Sequence, residues 1–233
     1  PWRFNTMFPD LKPNDGICRI CDGTYTYNGI TRHLRNCATD EVDTDADVPW
    51  LYLRFKSFNP SSKPYWLHLL ANPEAPLSRL DDHLRETWFF GANHPSRVNI
   101  RNESYSRRPN QQEPTDATGD EMSEPMRAIL MPTPEFNYYY APEGSGLMLI
   151  GKVYERLPRP EPLRHQSPEA DVHTLARNEP VTFECDACEA SEAGYRCLDC
   201  FIHRSVCEKC RDDHPDDHRL IEWKNTPLMM AVG

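Results

Sequence analysis

The side chains most able to do chemistry are the nine cysteines, because every one of them stands in metal-ligand spacing. Cys18, Cys21, His33 and Cys37 form a Cys-x2-Cys-x11-His-x3-Cys run. Near the other end, Cys185, Cys188, Cys197, Cys200, Cys207 and Cys210 are followed by His214 and His218. Thiolate and imidazole at such spacings suit a tetrahedral divalent ion, zinc above all. Twelve ligands make three sites of four, so three Zn²⁺ ions are the expected cofactors. An odd cysteine count argues against a disulfide framework and for a reducing compartment, so the expected location is cytoplasmic.

In the first run, Cys18 and Cys21 present two sulfurs from one turn. His33 and Cys37, four residues apart, fall on one face of a helix. Tyr25 and Ile30 supply the two apolar residues that close a small finger core. Residues 17–37 are net positive, with Arg19, Arg32 and Arg35 against Asp22. Arg19, Thr31, Arg32 and Arg35 are therefore the candidate contacts to a major groove or an RNA loop, although one finger spans only about three base pairs. As a folding staple the same unit needs no partner.

The C-terminal array offers four ligand pairs for two ions. Cross-braced pairing puts Cys185, Cys188, Cys207 and Cys210 on one ion, and Cys197, Cys200, His214 and His218 on the other. It ties together a short segment with almost no apolar core; sequential pairing is the alternative. Spacing and trailing histidines resemble B-box and ZZ-type zinc domains. Between residues 181 and 218, ten carboxylates oppose four basic side chains. That charge disfavours DNA and fits a basic peptide or protein tail. His203 reads as a surface side chain.

Catalysis has little to work with. A zinc ion with four protein ligands leaves no position for water, and no thiol is left over as a nucleophile. The sequence has no Gly-x-Ser-x-Gly, Walker loop or His-Glu-x-x-His. His68, His83 and His94 share no spacing and read as core or surface residues. An enzyme is not expected.

The elements that must position these residues come from patterning. With 38% apolar residues and a mean hydropathy of −0.74 over 233 residues, one large core is not expected. A net charge of −10 argues against a protein that coats nucleic acid. The expected order is a zinc finger (1–38), an acidic linker (39–47), a central α+β domain (48–171) and a two-zinc unit with a tail (172–233). The linker holds Asp40, Glu41, Asp43, Asp45 and Asp47. In the central domain, Leu51, Leu53 and Phe55 alternate with Tyr52, Arg54 and Lys56, the period of a half-buried strand. A turn at 59–64 leads into Tyr65, Leu67 and Leu69, completing a hairpin.

A helix follows, with Leu77, Leu80, Leu84 and Trp88 on one stripe and Asp81, Asp82, Arg85 and Glu86 outside it. Pro76 suits its start and Gly91 its end. Residues 97–101 read as a short strand, 109–125 as a long polar loop and 158–171 as a proline-rich exposed spacer. Residues 136–140 and 147–157 read as a strand pair. Trp50, Trp66, Trp88 and the tyrosines 138–140 read as packing residues. No apolar run approaches the ~20 residues of a membrane span. The chain opens on Pro1, so a targeting segment could precede it.

The order of parts resembles the plasmid pRi open-reading-frame-three-like family, also described as transposon passenger (TnpR-type) proteins. The residues that carry the likeness are Leu77, Leu80, Leu84, Trp88, His94 and Ser96, then Leu175, Ala176, Arg177 and Asn178, and finally Asn225, Thr226 and Pro227. Where some relatives carry a Cys-Cys pair before the histidine, this chain has Gly91 and Ala92. The resemblance implies an α+β middle domain with one prominent helix, and no particular activity. The expected role is a non-enzymatic zinc-binding adaptor that binds a protein partner, with nucleic-acid contact by the finger. The alternative is a nucleic-acid-binding regulator of DNA or structured RNA associated with mobile elements. The sequence carries no signal for oligomeric state.

Overall fold

The computed structural model describes residues 15–38, 49–57, 65–89, 94–107, 120–131, 135–140, 147–166, 168–197, 199–200, 205–215 and 217–222. The acidic segment 39–47, the turn at 59–64, Gly91, Ala92, His203, residues 225–227 and most of the stretch 109–125 lie outside the described residues.

In chain order the elements are β1 (Gly16–Cys18), β2 (Thr24–Tyr25), α1 (Tyr27–Cys37), β3 (Trp50–Ser57), β4 (Trp66–Ala71) and α2 (Leu77–Trp88). Then come β5 (Ser96–Ile100), β6 (Glu103–Arg107), β7 (Asp120–Glu121), α3 (Met126–Leu130), β8 (Glu135–Tyr140), β9 (Leu147–Leu157) and α4 (Glu161–Gln166). The last are β10 (Val172–Asn178), β11 (Tyr195–Cys197), β12 (Ser205–Val206), α5 (Glu208–Arg211) and β13 (Leu220–Glu222). Among the described residues, ten strands form one sheet in the order β2-β1-β10-β4-β3-β9-β8-β5-β6-β7, antiparallel except at β6–β7. A separate small sheet has the order β12-β11-β13. The mixed class expected from sequence is present, but the sheet dominates it.

Strand alternation puts Leu51, Leu53 and Phe55 into one core with the α2 stripe of Leu77, Leu80, Leu84 and Trp88. The opposite side chains, Trp50 and Tyr52, are buried too, in a second core. The half-buried pattern expected for this strand is therefore replaced by burial on both faces over its first half. The cause is α1, which lays the fully buried Ile30 and Leu34 against Tyr52, Trp66, Leu70 and Leu175. Thr26 caps that helix by accepting a 3.1 Å hydrogen bond from the Gly29 N–H.

Strand β1 explains why the finger docks here. It pairs with β10, Gly16 opposite Asn178 and Cys18 opposite Ala176. A Cβ on Gly16 would come within 2.2 Å of the Trp66 ring, so only glycine lets the strand approach this closely. The sequence placed residues 1–38 and 172–178 in separate end units; both lend strands to the central sheet. Nor are residues 158–171 a plain spacer, since α4 lies there and buries Leu163 in the second core. Beyond β10, Val181 is buried and Phe183 half-buried against the first core, anchoring the C-terminal unit.

Helix α2 departs from its expected stripe. Asp81 and Arg85, placed outside by periodicity, are 1% and 4% exposed. Their burial is tolerable because each finds partners. Arg85 donates to Asp81 at 2.7 Å and to Ser96 Oγ at 2.8 Å, while Tyr138 OH and Arg107 Nη1 donate to Asp81 at 2.7 and 3.0 Å. The helix start lacks a side-chain cap and uses backbone instead, Leu77 N–H to Glu124 O and Ser78 N–H to Met122 O.

Candidate metal centres

Two elements build the first centre. Cys18 ends β1, Cys21 follows in a turn, and His33 and Cys37 share one face of α1. The four ligand atoms lie within 4.8 Å of one another, as they do in the two C-terminal groups. Those groups are Cys185, Cys188, Cys207, Cys210 and Cys197, Cys200, His214, His218, which is the cross-braced pairing. Sequential pairing is not what the chain adopts.

The edges of these foursomes match a single ion. Metal–ligand bonds of 2.0–2.3 Å at tetrahedral angles put sulfur atoms ~3.8 Å apart and sulfur and nitrogen about 3.6 Å apart. Cys188 and Cys207 sulfurs are 3.9 Å apart, Cys21 Sγ is 3.4 Å from His33 Nε2, and Cys200 Sγ is 3.4 Å from His214 Nε2. His218 turns its other nitrogen inward, with Nδ1 at 3.1 Å from Cys200 Sγ and 3.7 Å from Cys197 Sγ.

The turns that deliver the cysteine pairs repeat between ends of the chain. Asp22 N–H donates to Cys18 O at 2.9 Å, and Glu189 N–H donates to Cys185 O at 2.8 Å. Each of these residues directly follows the second cysteine of its pair, and each has a left-handed backbone, φ 56° and 52°. In the remaining Cys-x2-Cys turn before β12, the Cys200 N–H points at Cys197 Sγ at 3.2 Å. Such donors favour the thiolate form that a cation requires.

Protonation is held in tension without a cation. Burial, then the charge of Cys18, pushes the Cys37 thiol up to about 12. The neighbouring Cys207 and Cys188 thiols push Cys210 to about 12. Burial raises Cys185 as well, but backbone N–H groups of Cys207, Cys188 and Ala187 outweigh it and bring that thiol down to about 6. Four thiols this close cannot all ionise until a divalent charge sits among them.

Supporting contacts lock the ligands in place. Tyr25 stacks on His33, ring centroids 3.6 Å apart, and its hydroxyl lies 3.9 Å from Cys21 Sγ. In the C-terminal unit, Asp186 exchanges backbone and carboxylate bonds with Ser205 at 2.8 and 2.6 Å, joining the first knuckle to β12. Arg219 grips Asp199 beside Cys200 at 2.8 and 3.2 Å. Its guanidinium holds the Asp199 carboxyl down at about 2.

The four residues read as nucleic-acid contacts divide. Arg19 and Arg32 are exposed. Arg35 is exposed as well but pairs with Glu155 of β9 at 2.5 Å, and the half-buried Thr31 bonds the Tyr52 hydroxyl, so both lean toward the sheet. His68 is buried and His83 half-buried at packing positions, His68 Nδ1 lying 2.7 Å from Tyr52 OH and His83 Nε2 2.9 Å from Thr174 Oγ1. The polar network around Asp81 was missed by sequence; the Asp81–Arg85 spacing of four is its only trace there.

No known family profile matches this chain, and no curated protein matches it. Among solved structures it is similar to a protein of unknown function from Methanosarcina mazei Go1, at 13% identity and a TM-score of 0.39. The match covers 48% of this chain and 62% of that one, so the chain spans less than two thirds of that protein. Among the described residues, no helix is long and apolar enough to cross a membrane.

Proposed function

We propose that the protein is a non-enzymatic adaptor of a reducing, cytoplasmic environment, organised by three structural zinc ions. The observation that carries this reading is that twelve ligand atoms gather in three closed foursomes. Zinc fits the donor set of thiolates and imidazoles, and with four protein ligands it supplies cross-linking rather than an activated water. Cys18, Cys21, His33 and Cys37 would hold one ion against the sheet; the other two would fold a C-terminal unit that has little core of its own.

That unit is the proposed docking surface for a basic protein segment. Its charge is strongly acidic, and Asp212, Asp213 and Asp217 are exposed around the second and third centres. A lysine- and arginine-rich peptide should bind the zinc-loaded chain in a salt-sensitive way. Reversing those three aspartates to lysine should abolish binding without loss of metal. Unchanged binding after the reversal would end the adaptor reading, as would elemental analysis finding fewer than three zinc ions per chain. The second reading, a nucleic-acid-binding regulator, draws on the exposed Arg19 and Arg32. It requires that reversing those two charges remove nucleic-acid affinity and its salt dependence.

A further inference from the structure

Among the described residues, the second face of the large sheet is covered by α1 and α4 over only part of its width. Over β3, β9, β8 and β5 it presents a grid fixed by strand register. Arg54 stands opposite Lys152, which stands opposite Glu135; Lys56 stands opposite Ile150; and Met148, Tyr139 and Arg97 share a row. These side chains are half-exposed, and Arg97 and Glu135 are exposed. The grid carries four cations (Arg54, Lys56, Lys152, Arg97) and two phenol rings (Tyr154, Tyr139). Arg54 and Lys152 share their row with Glu135, and Glu155 stands opposite Tyr52 and pairs with Arg35. The four cations of the grid thus meet two carboxylates, in a chain whose net charge is −10.

The rings and cations are already stacked. Arg54 lies 5.2 Å from the Tyr154 ring centroid and 5.6 Å from that of Tyr27, Lys152 lies 5.2 Å from Tyr154, and Arg97 lies 5.3 Å from Tyr139. The Tyr154 ring is engaged further, stacking on Tyr52 with centroids 5.2 Å apart. Tyr139, half-exposed with Arg97 as its cation partner, is therefore the ring that offers an unpaired base a π surface, and the cation heads offer charge to phosphates. A duplex hides its base faces and cannot use such rings.

We propose that this sheet face binds single-stranded nucleic acid, with phosphates on Arg54, Lys56, Lys152 and Arg97 and a base on Tyr139. The site is separate from the acidic C-terminal surface, so the adaptor reading can fail without it. It also moves nucleic-acid contact off the finger: Arg35 and Thr31, turned toward the sheet, edge the same face.

The test uses the full chain loaded with zinc and fluorescence anisotropy with labelled probes. These are oligouridylate and oligothymidylate of about 12 nucleotides, a duplex of equal length and a polyglutamate peptide. At about 100 mM salt a single strand should bind at least tenfold more tightly than duplex or peptide. Preference between uridylate and thymidylate then names RNA or DNA as the ligand. Lys56→Gln with Lys152→Gln should weaken binding about tenfold and flatten the salt slope by about 1.4, two contacts at 0.7 each. Tyr139→Ala should weaken it several-fold, with an unchanged melting curve and zinc content. Arg19→Ala with Arg32→Ala should leave it intact. Absence of single-strand binding, equal affinity for polyglutamate, or loss confined to the Arg19 and Arg32 variant would each overturn the proposal.

Discussion

Two kinds of residue carry unusual weight. The first is Asp81, a carboxylate at 1% exposure that accepts from Arg85, Arg107 and Tyr138. Asp81→Asn keeps the shape but removes the charge that two guanidinium groups face, leaving Arg85 buried and uncompensated. Urea unfolding should show a loss of about 3–5 kcal/mol. Glu189 is of the second kind, held at φ 52° where a side chain is strained. Glu189→Gly should raise the unfolding free energy by about 1 kcal/mol with no change in zinc content. A fall in stability would mean that its carboxylate does something the backbone does not reveal.

At the scale of elements, α1 and β1 act as a lid over the sheet rather than a detachable finger. Cys37→Ser removes a ligand from the helix end and should lower bound zinc from three to two per chain. Tyr52 and Trp66, both fully buried beneath α1, should then become accessible. Tryptophan emission should shift to the red and β3, β4 and β10 should exchange amide protons faster. Cys210→Ser should also lose one ion yet leave those probes unmoved. This division could not be read from the chain alone. The Cys and His pairs were legible because each is local, set by spacings of three or four residues. Their cross-braced grouping was favoured because it ties together a segment with almost no apolar core. Strands β3, β4, β8 and β9 and helix α2 were legible because one face of each is apolar. The β1–β10 pairing was not, because it joins residues some 160 positions apart and leaves no periodic mark. The buried side of Tyr52 and the ion network at Asp81 were hidden for the same reason: each depends on what packs opposite.

For the molecule as a whole, acid should be a sensitive variable for reasons beyond ligand protonation. Burial holds His68 down at about 3, and His83 and His173 at about 4, against an ordinary 6.5. These imidazoles are neutral in the fold, while the unfolded chain takes up protons at them below pH 6.5. Their stabilisation is therefore complete above 6.5 and is lost as pH falls towards 4 and 3, at about 1.4 kcal/mol per pH unit for each. His83→Gln, which can still bond Thr174, should flatten the decline in urea midpoint between pH 6.5 and 4 by about one proton's worth. An identical slope in wild type and variant would mean that zinc release alone governs the decline.

The seam between Gly16 and Asn178 has a consequence for synthesis. A ribosome makes the amino-terminal knuckle early, and zinc can meet it at once, yet its docking partner is still untranslated. Until β10 emerges, β1 has no strand to pair with on that side, and the α1 flank, though it can meet Tyr52, Trp66 and Leu70, lacks Leu175 and Ala176. The nascent protein must travel most of its length with that edge unpaired, and any chaperone that serves it should be found there.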